Sequence, residues 1–112
     1  MKQESHDIKI PITAALQQLT ASKKEFVQLF SRGTLQIELY KPDVIDKQQP
    51  HTRDEIYVIV SGEAMFYNAG VIVEVAANYC LHVPAFAEHR FFNFSEDFVT
   101  WVIFYGQEGG EK

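Results

Sequence analysis

Little in this chain would staple it, anchor it or charge it positively. It holds one cysteine, Cys80, in 112 residues, so no internal disulfide can form. A lone thiol suits a reducing compartment, and cytoplasm is the expected location. No apolar run is long enough to span a bilayer. The first seven residues are polar and acidic, without the apolar core of a signal peptide. Cationic excess is missing too: the net charge is −5 and the sequence pI about 5.3. That balance argues against nucleic acid or an anionic membrane as partner. No glycine-rich phosphate loop and no Ser-His-Asp or Cys-His arrangement is legible.

What is present is apolar bulk of a flat, stiff kind. Hydrophobic residues make up 46%, with 9 Phe and 5 Tyr, a composition that suits strands. Residues 1–112 read as one domain, with a loose tail at 1–7 and a flexible, glycine-rich exit at 106–112. Ile8 to Ile12 alternates and is expected at a sheet edge, where Pro11 is tolerated. Thr13 is expected to cap a short helical turn over 14–19. Strands are then expected at 26–30, 34–40, 56–60, 64–67, 71–75, 80–83, 90–94 and 98–105. Turns fall at Ser31-Arg32-Gly33, Ser61-Gly62 and Asn68-Ala69-Gly70. This spacing indicates a sandwich or barrel. The last strand is apolar on both faces, so one face enters the core and the other meets the N-terminal segment or a second subunit.

Two segments carry chemistry. Gln49-Pro50-His51-Thr52-Arg53-Asp54-Glu55 precedes one strand, and Pro84 to Asn93 contains His89. Two imidazoles and a carboxylate (His51, His89 and Glu55) can bind a divalent transition metal and leave positions open, with Gln49 as a fourth donor. His51 and Glu55 would stand about 13 Å apart on a straight strand, so Thr52-Arg53-Asp54 must bend for both to reach one metal. Asn93 is expected to bond backbone and fix the turn that carries His89. His82 is expected as packing or as support behind a ligand, Cys80 as a buried apolar residue, and Asp54 as a turn former. Tyr57, Phe91, Phe66 and Tyr40 would line an apolar pocket or fill the core. Arg53 and Arg90, each beside a ligand, would contact an anion if they reach the mouth. Their place next to inward-pointing residues argues that they point away.

These two segments resemble the motifs of the cupin superfamily, small single-domain type. Glu55 followed by six residues and Gly62 matches the end of the first motif. His51 takes the place of its second histidine, and Gln49 that of its first. In the second motif Asn78 stands for the first glycine, then come Pro84, His89 and Asn93, with Phe86 at the second glycine. The match runs over residues 49–63 and 78–93. Asn78 tolerates the positive φ a turn requires, whereas Phe86 does so at a cost.

The resemblance implies an all-β, double-stranded β-helix or jelly-roll barrel with a short N-terminal helical turn, expected as a homodimer. It implies one divalent metal (Mn, Fe, Ni or Zn) in the mouth and a small-molecule ligand. Oxygenation, isomerisation or decarboxylation of a small polar or carboxylate substrate is one expectation. A sugar- or carboxylate-binding module without turnover is the alternative, and a metal-free structural dimer a third.

Overall fold

The computed structural model describes residues 9–112; the expected tail at 1–7, with His6, and Ile8 lie outside the described residues. The elements are α1 (Ile12–Ser22), β1 (Phe26–Arg32), β2 (Leu35–Tyr40), β3 (Asp54–Ser61), β4 (Glu63–Asn68), β5 (Val71–Ala76), β6 (Cys80–Val83), β7 (His89–Phe92) and β8 (Val99–Tyr105).

The expected edge strand at 8–12 is not formed by its described part. Pro11 has no N–H to give to a sheet. Its extended backbone (φ −65°, ψ 140°) instead opens α1 without a side-chain cap, so Thr13 lies inside the first turn rather than capping it. The helix also runs further than the expected 14–19. Its buried Ala15 and Leu19 stand one turn apart on the face that meets the sheet.

The strands form two antiparallel sheets, five-stranded in the order β1-β2-β8-β3-β6 and three-stranded in the order β5-β4-β7. Together they make the jelly-roll barrel. The first hairpin differs from expectation: β1 continues through Ser31 and Arg32, and Gly33 (φ 58°) makes the turn. Gly62, linking β3 to β4, has no alternative residue. Its φ is 82°, and a Cβ there would lie 2.6 Å from the Phe98 Cα.

Strand register assigns the faces. Glu55 pairs with Phe104, Tyr57 with Val102, Glu38 with Val102 and Gln36 with Phe104, so these residues share the barrel interior. The floor is packed by Tyr57, Phe66, Phe91 and Phe98, with Phe91 ring centroids 4.7 to 4.9 Å from each of the other three. Phe66 and Phe91 therefore fill the core rather than line a pocket.

The outer face of β8 is also apolar. Val99 and Trp101 join Leu39, Val27 and Leu29 under Ala15, Leu16 and Leu19 of α1. The N-terminal segment thus covers part of the second face. Cys80 departs from expectation by being exposed: it pairs with Val58 on this outer side, at the edge strand β6.

Candidate metal centre

Three side chains meet in the barrel mouth. Glu55 is the second residue of β3 and is fully buried. Thr52 and Arg53 bend the chain just before β3, which swings His51 back over the strand start. His51 Nε2 lies 3.9 Å from Glu55 Oε1. His89 opens β7 on the opposite sheet and brings its Nε2 to 3.4 Å from the same oxygen. One donor atom from each residue falls within 4.8 Å of the other two. The bend demanded by spacing is present, and the cluster forms.

The two segments are stitched together by backbone. The Phe86 N–H donates to the His51 carbonyl at 2.7 Å, and the Ala85 N–H donates to Asp54 Oδ1 at 2.9 Å. Phe86 makes its bond at φ 70°, a conformation that costs a side chain about 1 kcal/mol or more. The glycine-like turn is therefore kept despite the residue. Asn78 is likewise at positive φ (74°), and so is Asn93 (51°). Asn93 differs from expectation: no side-chain hydrogen bond holds it to the His89 turn among the described residues, and it serves as a backbone bend after β7. The turn is held by Ala87 and Pro84, whose N–H and carbonyl meet at 3.2 Å.

The protonation pattern follows from neighbours. His89 Nδ1 lies 2.9 Å from the Ala87 carbonyl, which only accepts, so Nδ1 carries the hydrogen and Nε2 of the neutral ring is a bare lone pair. Burial lowers the pKa of His51, and the neighbouring His89 adds to this, which favours the neutral, ligating form. Burial pushes the Glu55 carboxyl up to about 8, and the nearby acids Glu38 and Asp46 add to the rise. The single Tyr57 hydrogen goes to Gln48 Oε1 at 2.9 Å. Both Glu55 oxygens, His51 Nε2 and His89 Nε2 are consequently buried without a hydrogen-bond partner. Four such atoms in one spot would each cost free energy, and a cation satisfies all of them. The donor set thus fits a divalent metal.

Other expected site residues fall elsewhere. Gln49 is exposed, whereas its neighbour Gln48 lines the cavity beside His51. His82 sits on the outer face of β6, paired with Ile56, and its Nε2 lies 3.0 Å from the Tyr105 hydroxyl. Arg90 is exposed and stacks over Tyr67, 5.1 Å from its ring, away from the mouth. Arg53 does reach the mouth, but its guanidinium is bonded to the Thr34 carbonyl and Gln36 Oε1. Tyr40 lines the cavity wall, with its hydroxyl on Asp46 at 2.6 Å.

Asp46 is the residue that spacing did not reveal. It lies in a polar loop, yet is buried and accepts from Tyr40, Gln48 and the Phe91 N–H. It pins the loop below His51 to the floor of the barrel. Asp54, expected as a turn former, opens β3 and also accepts from the Glu111 N–H at 2.8 Å. Two backbone N–H donors, from Glu111 and Ala85, hold its carboxyl below the usual range. The C-terminal segment, expected as a flexible exit, is in fact tied down there. The Gly109 N–H donates to the Thr52 carbonyl at 2.7 Å, and Gly110 is buried.

A cavity of about 420 Å³ opens beside the cluster, lined by His51 and by residues of β1, β2, β8 and the bend before β3. A larger hollow of about 700 Å³ between α1 and the 40–48 loop includes none of the three clustered residues.

An antiparallel jelly-roll barrel, packed at its floor and gathering two imidazoles and a carboxylate in its open end, defines the class. The chain belongs to the cupin family: residues 36–105 match the family described as Cupin domain. An uncharacterised protein of Streptomyces coelicolor is 33% identical over 86 residues, covering 75% of this chain and 82% of the relative. A cupin superfamily protein from Desulfitobacterium hafniense superposes with a TM-score of 0.62 at 21% identity, over 73% of this chain and 76% of that one. The DMSP lyase DddQ from Ruegeria pomeroyi superposes at 0.63 and 21%, over 73% of this chain and 46% of the lyase. At these identities the two solved structures share the fold.

Proposed function

We propose that His51, Glu55 and His89 hold one divalent transition metal and that a small polar ligand meets it from the adjoining cavity. The observation that carries this reading is the set of four buried, unpartnered donor atoms. When bound, the metal would supply Lewis acidity or oxygen activation, the chemistry behind oxygenation, isomerisation or decarboxylation. The chain's own residues do the rest. Ala87 fixes the tautomer of His89, Tyr57 and Gln48 wall the cluster from below, and Phe104 packs edge-on to His51 with ring centroids 5.0 Å apart. Gln49 is exposed and the Gln48 amide is held by Tyr57 and Asp46, so water or the incoming ligand would complete the coordination.

The test is metal titration of chelator-stripped protein with Mn²⁺, Fe²⁺, Ni²⁺ and Zn²⁺ by calorimetry, with elemental analysis of the product. One equivalent is expected to bind wild type, and none the His51→Ala, His89→Ala double variant. Equal uptake by both proteins, or no uptake by either, would sink the reading. The cavity of about 420 Å³ beside His51 is lined mostly by residues outside the cluster, which favours a second reading, ligand recognition without turnover. Unchanged ligand affinity in the double variant would select it. The homodimer belongs to the same proposal. Its surface would be the part of the outer sheet that α1 leaves half-buried, around Ile37, Ile56, Val58 and Ile103, and light scattering on a sizing column checks it.

A further inference from the structure

The cavity wall has a polarity of its own. Gln36 donates its amide N–H to Gln28 and accepts at its carbonyl from Arg53, while Gln48 donates to Asp46 and accepts from Tyr57. The Arg53 guanidinium is spent on Thr34 and Gln36, with Glu108 4.0 Å from its Nε. An incoming anion therefore finds its obvious partner occupied. Glu38 is different. It faces the barrel interior between Val102 and Gln28, half-buried, with no hydrogen bond or ion pair among the described residues. Its diagonal neighbours in the sheets are Phe26, which pairs with Tyr40, and Phe104, which pairs with Gln36. Phe26 is 49% exposed and lines the same cavity as Glu38, so an accessible aromatic side chain shares the cavity with the free carboxylate. Burial raises the Glu38 pKa by disfavouring its charged form, and a cation beside it would offset that penalty. An aromatic face beside it favours an organic cation over a hydrated metal ion.

We propose that the cavity takes a small organic ammonium ion, its cationic head held by the Glu38 carboxylate against Phe26. This rests on the reading of the barrel mouth as a ligand site, but the contact with Glu38 needs no metal.

The experiment uses full-length protein, metal-free and Zn²⁺-loaded, titrated with choline, with its neutral isostere 3,3-dimethyl-1-butanol and with succinate, by calorimetry and NMR. Choline is expected to bind, with the isostere and Glu38→Gln each weaker by about tenfold or more, the scale of a partly desolvated cation contact. Glu38→Asp, which keeps the charge, is expected to retain most of the affinity, and thermal melts report folding of both variants. Equal binding of choline and its isostere overturns the proposal, as does succinate binding in preference to choline or no choline binding in either metal state. Choline binding without Zn²⁺ uptake would leave the Glu38 site standing while the metal reading falls. Zn²⁺ uptake without choline binding would do the reverse.

Discussion

Phe86 shows how one side chain can sit against its own preference. Its φ of 70° suits glycine, and the residue is 61% exposed, so little packing would be lost on removal. Phe86→Gly relieves left-handed strain worth about 1–2 kcal/mol, partly offset by about 0.5–1 kcal/mol of extra chain entropy in the unfolded state. The expected outcome is a small net gain, of about 1 kcal/mol or less, in chemical denaturation. A loss of more than about 1 kcal/mol would show that the exposed ring packs in a way its surface does not reveal. Motif spacing located this position and flagged the residue. The N–H bond to His51 that keeps the strained turn in place joins residues far apart in sequence, so only the folded chain displays it.

Single elements were legible to different degrees. The strands at 80–83 and 71–75 were readable because apolar residues run between clear turn signals. The first helix is less legible, because it opens at Pro11 with no Ser, Thr, Asp or Asn cap to mark its start and runs on to Ser22. The C-terminal segment reads as a loose exit from its glycines, yet Gly109 and Glu111 bond the bend between His51 and Glu55. Backbone donors leave no trace in residue type. Deleting residues 107–112 removes those bonds and frees the bend. The barrel is expected to remain folded by circular dichroism while Zn²⁺ affinity drops roughly tenfold, the low end of what losing outer hydrogen-bond partners costs a metal site. Unchanged affinity would mean that the bend holds its shape unaided.

The folded unit as a whole carries the pH dependence of the cluster. Unfolded, the Glu55 carboxyl has its ordinary value of 4.5; folded and metal-free, it titrates at about 8. Between these values the native state holds a proton that the unfolded chain has released. Stability therefore declines as pH rises from 4.5 to about 8 and levels off above. His51, with its pKa lowered from 6.5, acts oppositely: below 6.5 the unfolded chain takes up the proton, so acidification destabilises. The window from pH 6.5 to 8 thus separates Glu55 from His51. Metal-free protein is expected to lose on the order of 2 kcal/mol across it, at about 1.4 kcal/mol per unit, and Glu55→Gln to lose none. Denaturant melts at several pH values measure this, and a wild-type profile that is flat or rises there would contradict it. A bound metal would reverse the trend, since its ligands must be deprotonated to bind.

Alternation and turn residues in the chain indicated a sandwich or barrel, and the resemblance of its two spaced segments to the cupin motifs implied the jelly roll and the meeting of His51, Glu55 and His89. The bend before Glu55 rests on a local signal, the polar residues Thr52-Arg53-Asp54. Residue order misjudged Gln49 against Gln48, turned Arg53 away from the mouth it reaches, and passed over Asp46 and Glu38. Those assignments depend on which way a side chain leaves an irregular loop and on what a neighbouring strand has already bonded. Such facts exist only once distant segments are packed together, because hydrogen-bond satisfaction and burial are properties of the assembled barrel and not of the chain.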